Sequence, residues 1–321
     1  MSDNTRHFSL YGKSPLSQLL FSSLIIIVVG TFLFTSFLIL GTLIFDRDPG
    51  NILENTPSGI VESDIPFIRY LLVIQDISLF IIPSIIILAL LTPGNQTCRA
   101  YIRKPGLNEV ILVVVLAFCI FPVTSITGQL NSGMDLPDWL SGVEKWMKEK
   151  EDNADSLIDL LMASTLFSSM VLNIITVAVL PAIGEELIFR GVLQKILCNL
   201  FRSGHTAIWV TAFLFSTIHF QFYGFIPRFI LGLVFGYLYF WSGTLWLPVI
   251  VHFVNNVVPV IGGFILGWEK FNIPLDITWK NILELPVPVL ISSMILMYFR
   301  KRSKMNSELS TDNIQTKKAD Y

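Results

Sequence analysis

The sequence predicts an all-α fold, a polytopic membrane helix bundle of about eight transmembrane helices. Of its 321 residues, 53% are hydrophobic and only 14% are charged, whereas about a quarter of the residues of an ordinary soluble domain carry charge. The apolar residues also fall in blocks long enough to cross a bilayer rather than in short amphipathic periods. A net charge of -2 offers no basic surface for nucleic acid. The partner expected from composition is therefore the lipid bilayer. Cys98, Cys119 and Cys198 are odd in number and far apart, so they suggest neither a disulfide framework nor a thiolate metal site.

Taken in order, the apolar blocks cover about residues 16–45, 68–91, 109–127, 164–198, 205–220, 226–241, 245–265 and 285–299. The first is far longer than a signal-peptide core and has no small-residue cleavage pattern after it, so it reads as a retained helix. The fourth is overlong and the sixth short, which tilt or a helix break would accommodate. The chain divides into N-terminal transmembrane helices with an outer amphipathic segment (1–163), a transmembrane core carrying the chemistry (164–299) and a polar, disordered tail (300–321).

Basic residues are retained on the cytoplasmic side during insertion. Arg6 and Lys13, then Arg99, Arg103 and Lys104, then Lys195 and Arg202, and finally Arg300, Lys301, Arg302 and Lys304 fall on one side if eight helices alternate. The loop with Asp46, Asp48, Glu54, Glu62 and Asp64 against Arg47 alone falls on the other. Both termini are thus expected in the cytoplasm, with the chain in the plasma (inner) membrane. In the long outer loop, Trp139, Leu140, Val143, Trp146 and Met147 recur at helical spacing opposite Glu144, Lys145, Lys148 and Glu149. This is either an interfacial helix or a cap over the bundle.

An ionisable group inside a bilayer costs several kcal/mol, so each needs a partner, a water-filled cavity or a task. In Gly184-Glu185-Glu186-Leu187-Ile188-Phe189-Arg190 two carboxylates and an arginine interrupt an apolar run. On a helix Glu186 and Arg190 are i,i+4 and share a face, whereas Glu185 points about a quarter turn away. Arg190 can therefore neutralise Glu186, leaving Glu185 free to take a proton from water as a general base; the alternative is a purely structural ion network. His219 closes the stretch Phe215-Ser216-Thr217-Ile218-His219, and His252 and Asn256 lie i,i+4 on one face of a later helix. Each alone is as readily a link between helices as a chemical group. Counting about 1.5 Å per residue from the cytoplasmic helix ends puts Glu185 and His219 roughly 20 Å deep and His252 roughly 10 Å deep. Three polar groups on three helices at compatible depth fit one buried cavity. Gln75-Asp76, inside the second block, reads as a hydrogen-bonding or water-lined site and stays outside the catalytic set.

Glu185-Glu186-x-x-x-Arg190, Phe215-x-x-x-His219 and His252-x-x-x-Asn256 resemble the three ordered motifs of the CAAX-protease and bacteriocin-processing (Abi) family of intramembrane peptidases. The resembling region covers about residues 164–265. The resemblance implies that Glu185 and His219 activate a water and that His252 and Asn256 stabilise the oxyanion of the tetrahedral intermediate. It also implies a peptide or protein substrate, either a lipidated CAAX tail or a leader or bacteriocin peptide. Glu185, His219 and His252 could hold a water directly or ligate Zn²⁺ together, since two histidines and a carboxylate form an accepted catalytic zinc set. No HExxH, Gly-x-Ser-Gly or Gly-x-Gly-Asp motif is present. A non-catalytic membrane protein for bacteriocin self-immunity or scaffolding is the competing expectation. A transporter fits less well, because the polar sites do not recur as an inverted repeat.

Overall fold

The computed structural model describes residues 9–50, 62–91, 103–134, 136–271 and 278–319; Arg6, Glu54, Cys98 and Arg99 lie outside these residues. The described chain is helical throughout, with no strand. We number the principal helices α1 (Pro15–Phe45), α2 (Glu62–Leu91), α3 (Leu107–Ser132), α4 (Ser141–Met162), α5 (Phe167–Phe201), α6 (Gly204–Thr217), α7 (Phe225–Ser242), α8 (Trp246–Leu266) and α9 (Pro286–Ala319). Apolar composition makes helix the only open structure that can cross lipid, since each backbone N–H and C=O must be paired within its own segment.

Seven helices among the described residues are long and apolar enough to cross a membrane. The fifth expected span is the exception. α6 has 14 residues, about 21 Å at 1.5 Å per residue, against a hydrocarbon core of about 30 Å. It stops at Thr217, where the chain turns through Phe220 at φ 51° and re-enters α7 at Phe225. The overlong α5, of 35 residues, carries two locally widened, π-type stretches, Ile174–Val179 and Leu187–Gln194. α9 continues helically through the polar stretch from Ser303, where composition alone reads disorder; neither Gly nor Pro occurs after Pro288 to break it.

The two ends of the bundle differ in charge. At one end the backbone N–H groups of Leu10 and Tyr11 donate to the Leu90 carbonyl at 2.9 and 3.1 Å. Leu10, Ile87, Leu91, Val192 and Ile196 form a core cluster there. The same end holds His205 against Tyr237 (3.0 Å) and Arg103, which donates to the Ser242 carbonyl (3.2 Å) and, with Arg302, binds Glu109. The N-proximal Leu10 and the late Arg302 therefore lie at the same end. The opposite end holds the Arg47–Asp64 ion pair and the Trp268–Asp159 hydrogen bond. The main core joins Val113, Leu116 and Ile120 of α3 to Phe189, Phe215, Phe235, Val251 and Phe299, so the helices before and after residue 164 share one interior.

α4 begins near the expected amphipathic segment and runs on to Met162. Trp139 stays 81% exposed, while the Trp146 ring packs on Phe222 with centroids 5.7 Å apart. α4 thus covers the turn that follows His219.

Candidate active site

The site is built around Glu186. Its Oε1 accepts from Arg190 Nη1 at 2.7 Å and from His252 Nδ1 at 2.9 Å, and Glu186 and Arg190 are both fully buried. The i,i+4 pairing read from the sequence is present, and a third member joins it from α8. A carboxylate can only accept, so Nδ1 of His252 carries the proton and Nε2 is left to face Glu185 Oε2, 3.7 Å away. That separation is too long for a direct hydrogen bond. Oε2 of Glu185 is buried and has no hydrogen-bond partner among the described residues. Oε2 of Glu186 is likewise buried without a partner among these residues, so the two adjacent glutamates differ in Oε1 alone, which on Glu186 holds both Arg190 and His252.

Arg190 fixes the arrangement from the inner side. Nη2 donates to the Gly232 carbonyl at 3.2 Å, and the guanidinium lies 4.7, 5.1 and 5.9 Å from the ring centroids of Phe215, Phe235 and Phe189. Three aromatic faces around a desolvated cation supply cation–π attraction in place of water. One helical turn on, Gln194 Nε2 donates to the Gly236 carbonyl at 3.0 Å. Gly232 and Gly236 let α6 pack closely on α7 here, because a Cβ would meet the Ala212 backbone at 3.0 Å at the first and Ile208 at 2.8 Å at the second. Small residues four apart let membrane helices close to this distance.

His219 stands at the end of α6, and its Nδ1 donates to the Phe215 carbonyl at 2.8 Å, so Nε2 is its free nitrogen. Phe215 touches His219 (centroids 5.2 Å, edge on) and His252 (6.1 Å), and Phe235 stacks on His252 at 5.0 Å. Asn131 of α3 pins the turn after His219, donating to the Phe222 carbonyl at 2.8 Å and accepting from Ile226 N at 2.9 Å. Glu185, His219 and His252 lie within electrostatic reach of one another. Asn256, one turn beyond His252, donates to the Val177 carbonyl at 3.3 Å. This uses one N–H of the amide, fixes its plane and leaves the second N–H.

Several residues that shape the site were not singled out by sequence reasoning. Gln194 falls i,i+4 from Arg190, and Gly232-x-x-x-Gly236 is a readable spacing in an apolar helix. Arg228 is the single cation within α7; it donates to the carbonyl and side-chain oxygens of Gln221 at 3.0 and 2.6 Å and stands within electrostatic reach of Glu185. Phe235 and Asn131 carried no signal beyond hydrophobicity or helix end. Asp76 is 3% exposed and opens a widened stretch of α2 that passes close over Gly184, where a Cβ would meet Phe80 at 3.0 Å.

As a metal centre the set fits poorly. No three His, Cys, Asp or Glu side chains among the described residues converge as ligands.

Residues 167–258 match the family model of the type II CAAX prenyl endopeptidase Rce1-like proteins. A Bacillus subtilis (strain 168) protein, the uncharacterized protein YpbD, is 31% identical over 90 residues, which is 27% of this chain and 43% of that protein. The chain thus aligns with less than half of that relative's length. No solved structure matches. All seven residues of the three motifs, from Glu185 to Asn256, fall within the matched region.

Proposed function

We propose that this chain is an intramembrane endopeptidase of the CAAX type, hydrolysing a peptide bond in a membrane-associated protein or peptide with a water activated by Glu185 and His219. The observation that carries this reading is the unequal standing of the two adjacent glutamates. Oε1 of Glu186 is held by Arg190 and His252, whereas Glu185 accepts from neither and stands with Oε2 3.7 Å from His252 Nε2. A carboxylate kept free in a desolvated site is what a general base for water requires.

In this mechanism Glu185 takes a proton from the water as its oxygen bonds to the scissile carbonyl carbon. The carbonyl π electrons move to oxygen, and the resulting oxyanion is met by the second N–H of Asn256, while His252, its Nδ1 proton held by Glu186, faces Glu185 with an unprotonated Nε2. Collapse of the tetrahedral intermediate breaks the C–N bond, and the proton held by Glu185 passes to the leaving amine. The family match supports this class of reaction, and the basic end of the bundle supports a cytoplasmic placement of that end in the plasma (inner) membrane. A CAAX substrate would be prenylated; a leader or bacteriocin peptide would present the same amide to the same groups.

The competing reading is a non-catalytic membrane protein for self-immunity or scaffolding. It is favoured by the bonds that Arg190, Gln194 and Asn256 make to carbonyls of neighbouring helices, which are helix links in their own right. It accounts for Glu186 and leaves Glu185 without a role.

Glu185→Gln separates the two, because the amide keeps shape and hydrogen bonding but cannot accept the proton. The purified full chain should cleave a fluorescence-quenched prenylated CAAX peptide. The Glu185→Gln protein should accumulate and melt like the parent, yet cleave neither this peptide nor the substrates revealed by comparing membrane proteomes of cells carrying each version. Full biological function of a normally expressed Glu185→Gln protein would instead establish the scaffold.

A further inference from the structure

At the basic end of the bundle, Glu109 is buried and doubly clamped. Arg103 meets it with two bonds of 3.0 and 3.1 Å, Arg302 Nη1 with one of 3.0 Å, and Gly106 N donates to it at 2.8 Å. Around this clamp is a cavity of about 140 Å³ lined by Arg103, Glu109, Trp241, Ser242, Phe299 and Arg302. A guanidinium has five N–H donors. Besides Glu109, Arg103 gives one to the Ser242 carbonyl and Arg302 gives one to Tyr298 Oη. Both arginines therefore retain unspent donors, and their side chains are 41% and 44% exposed. Two cations against one carboxylate leave a net positive charge, and Lys104, Arg300 and Lys301 are exposed on the same helix ends.

We propose that this cavity is a headgroup site for an anionic phospholipid, with the phosphate held by Arg302 and Arg103 and the acyl chains lying along α9. Three features select this ligand. An arginine fork matches phosphate oxygens two at a time. The cavity is well below the roughly 300–1,000 Å³ of sites that enclose a whole small molecule, so it accepts a phosphate and leaves the rest of its owner outside. That remainder meets apolar surface, since Leu290, Met294 and Met297 of α9 are exposed. Basic pockets between helices on the cytoplasmic side are where anionic headgroups are bound.

The test uses the full chain in detergent, with equal amounts of dioleoyl-phosphatidylglycerol and dioleoyl-phosphatidylcholine added and bound lipid counted by native mass spectrometry. The parent should retain phosphatidylglycerol preferentially. Arg302→Gln should lower that preference about 10-fold, in keeping with the loss of one charge-assisted contact to phosphate. Arg302→Lys, which keeps the charge and guards against loss of the fold, should lower it less, and Arg300→Gln, outside the cavity, should leave it nearly unchanged. An equal loss in Arg300→Gln would show diffuse surface attraction and overturn the site. An unchanged preference in Arg302→Gln would do the same, as would full displacement of the lipid by inorganic phosphate, which would identify a free-anion site.

Discussion

At the scale of single residues, the site turns on one carboxylate serving two partners. Removing Arg190 would leave Glu186 charged, buried and tied only to a histidine, and breaking a buried pair from one side costs about 3–5 kcal/mol. Arg190→Ala should therefore lower abundance and melting temperature in detergent as well as activity; a variant that melts like the parent would show that the Glu186–Arg190 pair is dispensable to the fold. Arg190→Lys should recover little, because an ammonium has no planar fork to reach Glu186 and the Gly232 carbonyl together. Asn256 should behave differently. Its tie to Val177 orients the amide without holding the helices on its own, so Asn256→Ala should accumulate normally and slow turnover by about 10²–10³, the usual cost of one oxyanion donor. A loss below about 10-fold on the prenylated peptide would assign Asn256 to packing alone.

At the scale of elements, α6 and α7 form a close pair that delivers His219 and the carbonyls facing Arg190. Gly232→Ala would press a methyl on the Ala212 backbone at 3.0 Å, and overpacking of this kind costs about 1–3 kcal/mol. The expected result is a lowered melting temperature together with weakened activity, because the Gly232 carbonyl moves with the backbone. α4 is held over the adjoining turn by Trp146 on Phe222 and by Glu151, which accepts from the backbone N–H of Tyr223. Burial raises the Glu151 carboxyl above the usual carboxylate range, with Asp155 and Asp152 adding to the effect and Arg228 opposing it. A raised carboxyl contributes stability that is complete below its unfolded value and is lost as pH rises through its folded one. Docking of α4 should therefore be firmest in mild acid and loosen as pH rises past the ordinary carboxylate range. Hydrogen-exchange protection along α4 in detergent, corrected for the intrinsic pH dependence of amide exchange, checks this, and Glu151→Gln should weaken the loss of protection with rising pH, Asp155 retaining a share.

At the scale of the whole molecule, the contacts that gather Leu10, Leu90, Arg103, Phe201, Ser242 and Arg302 at one end require an even number of passages through the bundle. The short α6 supplies the eighth passage together with the turn after it. Backbone outside regular helix is tolerated at membrane depth where it lines a cavity or is packed in protein, and the turn through Phe220 is both tied to Asn131 and covered by α4. Reporter fusions at Tyr321 and in the loop at Thr165 should accordingly report opposite sides of the membrane, with Tyr321 cytoplasmic. The same side for both would reverse this topology.

Local signals in the chain determined much of this protein. Runs of lipid length leave the backbone no alternative to helix, so the class of fold and the helix order follow from hydropathy alone. The pairing of Glu186 with Arg190 follows from the 3.6-residue period, which puts i and i+4 on one face whatever the surroundings. Hydropathy could not show that α6 ends short, because the apolar run continues through Ile218 while the chain has already turned. Nor could it show which acceptor each histidine uses, or that Phe215 and Phe235 sandwich Arg190 and His252, since those contacts join positions on different helices. Only tertiary packing decided that Glu186 binds both Arg190 and His252 while Glu185 binds neither, because that depends on where α8 places His252.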